Sequence, residues 1–159
     1  MHTLTAAKGR TKGETYAELA AQLRALVEGE EDFIANAANF SSLIFHTLPD
    51  LNWAGFYLLK GGELVLGPFQ GKPACVRIPL GGGVCGAAAA ARRTVVVENV
   101  HEFPGHIACD SASNSEVVVP LLKGGELLGV LDLDSPSLGR FDGEDAEGLE
   151  ELVRVFLRV

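Results

Sequence analysis

Long apolar runs are missing from this chain of 159 residues. The longest, around 83–91, is short and mostly alanine, far below the roughly 20 residues a membrane-spanning helix needs. Basic charge is also scarce: 13 Lys and Arg stand against 21 Asp and Glu, a net charge of −8. No basic stripe is present, which excludes a binder of nucleic-acid backbone. The first residues, MHTLTAAKGRTKGE, hold no apolar signal core, so a cytoplasmic location is expected. Cysteines are few and odd in number, Cys75, Cys85 and Cys109, and none forms a CxxC pair. Thioredoxin-like and zinc-ribbon readings thereby lose their main signature, and a reducing cytosol disfavours a disulfide framework. Structural thiols, a metal site or a dithiol cycle stay open. The 19 Gly and 7 Pro follow no collagen-like period, and 47% hydrophobic against 21% charged residues is a globular composition. The length fits one domain with a proper core.

What is present divides into helices at the ends and strands between. Residues 1–13 read as a flexible arm carrying Lys8, Arg10 and Lys12, followed by a single domain over 14–159. Leu19, Leu23, Leu26 and Val27 predict a helix over 14–27; Phe33, Ala37, Phe40 and Ile44 predict another over 32–47, closed by Pro49. Leu149, Leu152, Val153 and Phe156 predict a third over 142–158. Strands are expected at 53–59, 63–69, 76–79, 94–97, 116–122 and 126–134. The string LLKGGEL occurs at 58–64 and again at 121–127; the same Gly-Gly hairpin turn used twice accounts for it. Two hairpins flanked by helices give an α+β fold, one central antiparallel sheet with helices packed on it.

Three groups of residues offer chemistry. Alternation along a strand puts Trp53, Gly55 and Tyr57 on one face, where the missing side chain at Gly55 leaves a slot between aromatic walls for a soft group such as an S-methyl. The same pattern describes core aromatics beside a packing glycine. In Val130-Leu131-Asp132-Leu133-Asp134, both aspartates share one face roughly 6–7 Å apart without an interleaved cation. Such a pair binds a cation or has one carboxyl held protonated; a solvated strand end is the other reading. Whether Glu116 joins them depends on register. A two-residue turn at Gly124-Gly125 pairs Val117 with Asp132 and sends Glu116 to the opposite face. A three-residue loop, or a bulge, brings Glu116 over.

The third group is the thiols. Cys85 follows Gly81-Gly82-Gly83-Val84 ahead of an alanine-rich helix, and a helix N-terminus lowers a thiol pKa. The string also matches GxGxxG with Glu98 downstream, but a helix of about eight residues is short for a parallel crossover. Cys109 lies in a polar loop beside His106 and Asp110, which act oppositely on a thiolate. Cys75 has no evident activator. Zinc held by three thiols and either His101 or His106 is conceivable, although the spacing matches no common ligand pattern. His46 and His101 read as surface or capping residues.

The segments NWAGFYLL, LGPFQGKPACVRIP, GGGVCGAAAA, FPGHIACDSASNSEVVVPL and GVLDLDSPSLGRFDGED together closely resemble the free methionine-(R)-sulfoxide reductases, enzymes built on a GAF domain. The likeness runs from about Thr15 to Val155. It implies a GAF fold, a cytoplasmic enzyme, reduction of the free amino acid, recycling by thioredoxin as external reductant without a bound cofactor or metal, and a homodimer. Carried over by position, the attacking cysteine falls on Cys109, the resolving cysteine on Cys75, and a third, dispensable thiol on Cys85. The aromatic pocket falls on Trp53 and Tyr57, and the acidic cluster on Glu116, Asp132 and Asp134, with Glu116 or Asp134 as proton donor. The alternatives are a non-catalytic GAF module sensing a small molecule or redox state, a thiol peroxide sensor, and the metal site.

Overall fold

The computed structural model describes residues 10–107 and 109–159; most of the expected arm, residues 1–9, lies outside them. The first helix, α1 (Lys12–Val27), starts two residues earlier than apolar periodicity implies, because the Thr11 side chain accepts the Glu14 N–H and caps it. The second, α2 (Phe33–Thr47), is capped by Asp32, whose Oδ1 accepts the Ala35 N–H at 2.8 Å. Strands β1 (Trp53–Lys60), β2 (Glu63–Gly71) and β3 (Arg77–Pro79) follow, then α3 (Gly83–Ala91), β4 (Val95–Val97), β5 (Ser115–Lys123), β6 (Glu126–Ser135) and α4 (Gly143–Leu157). A 3₁₀ turn at Val100–Glu102, capped by Asn99, was too short to leave a periodic signal. Among the described residues no helix is long and apolar enough to cross a membrane.

The six strands form one antiparallel sheet in the order β3-β2-β1-β6-β5-β4. Both LLKGGEL strings close two-residue turns with positive φ at each glycine, 59° and 81° at Gly61 and Gly62, 59° and 77° at Gly124 and Gly125. That conformation matches the twist of the flanking strands and is almost free only for glycine. The antiparallel order also removes the dinucleotide reading of the GxGxxG string. The strands flanking α3 sit at opposite edges of the sheet, so α3 crosses its face and makes no βαβ unit.

Each face of the sheet buries a different layer. Ala54, Phe56, Val117, Val119, Leu131 and Leu133 meet α1, α2 and α4 on one side. There Phe40, Phe56 and Phe156 pack with ring centroids 5.3 to 5.5 Å apart, each pair contributing about 0.5–1.5 kcal/mol beyond its buried area. The other face carries Trp53, Tyr57, Val118 and Val130 under α3. This second layer is thinner, since one nine-residue helix and loops cover it, and the pocket lies there.

Candidate active site

Strand alternation and one irregularity assemble the polar floor. On β6, Asp132 and Asp134 face Gly55 and Trp53 of β1. The β5–β6 hairpin does close with a two-residue turn, the case that would turn Glu116 away. However, the register slips between Leu121 and Leu122: Leu122 pairs with Leu127, whereas Leu121 pairs with Gly129. The extra residue is a β-bulge. Beyond it every partner is shifted by one, so Glu116 pairs with Asp134 and Val118 with Asp132. All three carboxylates therefore share one face.

Burial makes this cluster unusual. Glu116 is 6% and Asp132 5% exposed, and Asp134 is half-buried. Burial raises all three carboxyls above the usual range; Glu116 is raised further by the charges of Asp132 and Asp134, and Asp134 by that of Asp132. The group therefore retains protons that solvated carboxyls release. Among the described residues, Oδ1 of Asp132 is buried without a hydrogen-bond partner, an acceptor open to a cationic donor.

Cys85 completes the floor. Its Sγ lies 3.9 Å from Oε2 of Glu116 and donates to it, and burial, then the charges of Asp132, Glu116 and Asp134, raise its thiol well above the ordinary value. The helix N-terminus thus fails to make Cys85 a thiolate: carboxylates brought from β5 and β6 outweigh it. Potential ligand atoms of Cys85, Glu116 and Asp132 lie within 4.8 Å of one another. Metal binding requires these groups deprotonated, whereas each is shifted toward its protonated form.

The other two thiols meet above this floor. Cys75 and Cys109 form a disulfide across 34 residues, with Cα atoms 5.5 Å apart. This pair is inconsistent with a site in which all three thiols hold zinc together. Trp53, Tyr57, Ala74, Gly83, Cys85, Cys109, Glu116, Asp132 and Asp134 all line one pocket. The cleft between them encloses about 530 Å³ of empty space, part of it open solvent. The Cys109 loop is anchored by Asn52, whose Nδ2 donates to Asp110 Oδ2 at 3.2 Å and to Ser113 Oγ at 3.0 Å. Sequence reasoning missed Asn52; its place directly before the aromatic strand was the available signal. Asp110 also caps its own loop, its Oδ1 accepting the Ala112 N–H at 2.8 Å. His106 lines the pocket, but burial and nearby His101 lower its pKa, so it supplies no positive charge to a thiolate at neutral pH.

The sequence is matched by the GAF-domain family over residues 23–156. It is 56% identical to the free methionine-R-sulfoxide reductase of Escherichia coli, over 89% of this chain and 86% of that protein. A solved structure of free methionine-R-sulfoxide reductase from Neisseria meningitidis in complex with its substrate is 45% identical, covers 99% of this chain and 95% of that one, and superposes with a TM-score of 0.94. The corresponding Staphylococcus aureus enzyme, also complexed with substrate, is 47% identical with a TM-score of 0.88, covering 99% and 98%. The chain belongs to the free methionine-(R)-sulfoxide reductase family.

Within this family's fold, the aromatic wall takes the second of the two forms open to its sequence, core aromatics beside a packing glycine. Trp53 and Tyr57 stack directly, centroids 5.8 Å apart at 24°, and Trp53 stacks on Phe69 at 5.2 Å. No slot opens between them. The space a side chain would take at Gly55 is occupied by the Phe69 backbone and Cβ and by the Pro68 carbonyl, so Gly55 is a packing glycine and the rings form one continuous wall. His46 and His101 are both exposed, His101 within the capped 3₁₀ turn with Nε2 2.9 Å from Asn114 Oδ1.

Proposed function

We propose that the protein reduces free L-methionine-(R)-S-oxide to L-methionine with Cys109 as nucleophile. The observation that carries this reading is one pocket lined by Cys109, which is disulfide-bonded to Cys75, together with buried, proton-retaining carboxyls and an aromatic wall. The substrate-bound relatives support the choice of ligand.

A methionine sulfoxide zwitterion matches the pocket group by group. Its ammonium fits the open Oδ1 of Asp132. Its carboxylate fits the backbone N–H groups at the start of α3, where Gly82 offers no capping side chain. The S-methyl lies against Trp53 and Tyr57, which fixes the sulfur face presented to Cys109 and gives the R preference. Protonated Glu116 or Asp134 donates to the sulfoxide oxygen and makes sulfur electrophilic. The Cys109 thiolate takes that oxygen, one proton completes the hydroxyl, and methionine leaves with Cys109 as sulfenic acid. The Cys75 thiol then attacks Cys109, releasing water and forming the disulfide. Thioredoxin, as external dithiol, reduces it, so no bound cofactor is required. Cys85 corresponds to a third thiol that joins exchange without being essential.

The test combines free methionine-(R)-sulfoxide, this protein, thioredoxin, its reductase and NADPH. Methionine formation with matching NADPH consumption is expected, abolished by Cys109→Ser and mainly slowed in recycling by Cys75→Ser. Absence of methionine, or an active Cys109→Ser with a dead Cys85→Ser, overturns the reading.

A further inference from the structure

The segment 72–75 carries Cys75 across the pocket from the end of β2 toward β3. Two side chains of β1 hold it at its two ends. The Trp53 indole Nε1 donates to the Lys72 carbonyl at 3.2 Å, and the Tyr57 hydroxyl donates to the Cys75 carbonyl at 2.9 Å. Pro73 between them fixes one backbone torsion. Burial, then the negative charge of Asp132, pushes the Tyr57 hydroxyl up, so it remains a donor at any working pH. Both residues line the pocket, and their polar tips hydrogen-bond the strap. The neighbouring Asn52 anchors the loop that carries Cys109.

We propose that Trp53 and Tyr57 are positioning residues for Cys75: their hydrogen bonds hold the 72–75 strap so that its thiol stays within disulfide range of Cys109. The inference deepens the reading above, since it takes Cys75 and Cys109 as the working pair. Without the tethers the reduced strap samples more conformations, and the effective concentration of one thiol near the other falls. The disulfide restores the alignment itself, so the loss appears in the equilibrium between dithiol and disulfide and in the rate of closure.

The experiment uses the full chain in glutathione buffers. Protein dithiol plus one glutathione disulfide exchanges with protein disulfide plus two glutathione thiols, so two electrons and two protons balance. Acid quench, alkylation and mass measurement give the oxidised fraction. Tyr57→Phe, which keeps the ring, is expected to lower the equilibrium constant about tenfold, a shift of about 30 mV for a two-electron couple. Closure should slow in parallel, and Trp53→Phe should act in the same direction. Tyr16→Phe is the control: that hydroxyl donates to Asp145 at 2.7 Å on the far side of the sheet, and its loss should lower stability without moving the disulfide equilibrium. An unchanged constant in both Tyr57→Phe and Trp53→Phe, or an equal shift in Tyr16→Phe, overturns the proposal. No sulfoxide enters this assay. A protein inert toward methionine sulfoxide can therefore still pass it, and an active reductase can fail it.

Discussion

Gly129 pairs with Leu121 at the bulge that brings Glu116 to the pocket face, and replacing it with alanine tests whether the close approach of β6 to β1 there requires glycine. It sits at the bulge with φ of +154°, where a side chain is strained. A Cβ there would collide with the Tyr57 carbonyl oxygen on β1 and come within 2.9 Å of the Leu58 Cα, against the about 3.5 Å at which carbon contacts become favourable. Both obstacles are backbone of the central strand pair, so neither can rotate away as a side chain tip would. Overpacking of a filled interior costs about 1–3 kcal/mol, and a strained backbone region adds about 1–3. Gly129→Ala should therefore lose on the order of 4 kcal/mol, a large share of the about 5–15 typical of a domain. Urea unfolding followed by fluorescence of the single tryptophan, Trp53, measures the loss inside the pocket itself. Gly125→Ala separates the two contributions: its φ is +77° but nothing lies within 4 Å of its Cβ, so only the backbone share, about 1–3 kcal/mol, remains. If the two variants unfold at the same urea concentration, the collision at β1 is not what the bulge avoids, and the account of the register fails.

Two further outcomes follow from the acid cluster and the loop anchor. Burial raises the folded-state pKa of Glu116, Asp132 and Asp134, so above the ordinary carboxylate range the unfolded chain binds fewer protons than the folded one, and these groups make stability fall as pH rises. Glu116→Gln should consequently be more stable than the parent at pH 7, with a difference that widens from about pH 4.5 to 8. Urea midpoints across that range check it, and a difference that narrows would reverse the sign. Asn52→Ala removes both amide anchors of the Cys109 loop; kcat for sulfoxide reduction should drop about tenfold while stability falls by about 1–2 kcal/mol. An undiminished kcat would show that the loop needs no such support.

The architecture was almost wholly legible in the amino-acid sequence, the site less so. All six strands lie within two residues of their expected spans, and α1, α2 and α4 fall where apolar periodicity puts them, α1 beginning two residues early. These signals are local: Asp32 and Asp142 cap α2 and α4 through their own first turns, whereas α3 was legible only as an alanine-rich run. Glu116 was left undecided since a turn-based register propagates only as far as the ladder is regular. The clue lay in Leu127-Leu128-Gly129-Val130, two adjacent apolar residues and a glycine that break the alternation of β6. The lowering of the Cys85 thiol that a helix N-terminus implies is reversed for a non-local reason. A helix N-terminus was visible in the string, whereas the carboxylates that oppose it arrive from strands more than 30 residues away. Asn52 escaped notice because an asparagine at a strand entry has many ordinary roles; only the return of the 109–114 loop gives it partners.

The two faces of the sheet explain why a family module of this kind can host such chemistry. On the α1, α2 and α4 side, side chains such as Leu131, Leu133 and Val117 are fully buried and apolar, and they secure the same strands whose opposite residues are Asp132, Asp134 and Glu116. Each strand thus contributes stabilising contacts on one side and an unfavourable, desolvated acid on the other. Burial, and for Glu116 and Asp134 the neighbouring acids' charges, shift the three carboxyls toward their protonated forms, and the proposed reaction draws its proton from this cluster. An entering ammonium changes that balance, because a positive charge beside Asp132 favours its ionised form and leaves the remaining proton to Glu116 or Asp134. In the proposed reaction, binding the amino group and arming the acid are therefore one electrostatic event, and a sulfoxide embedded in a polypeptide, lacking the free ammonium, forfeits both.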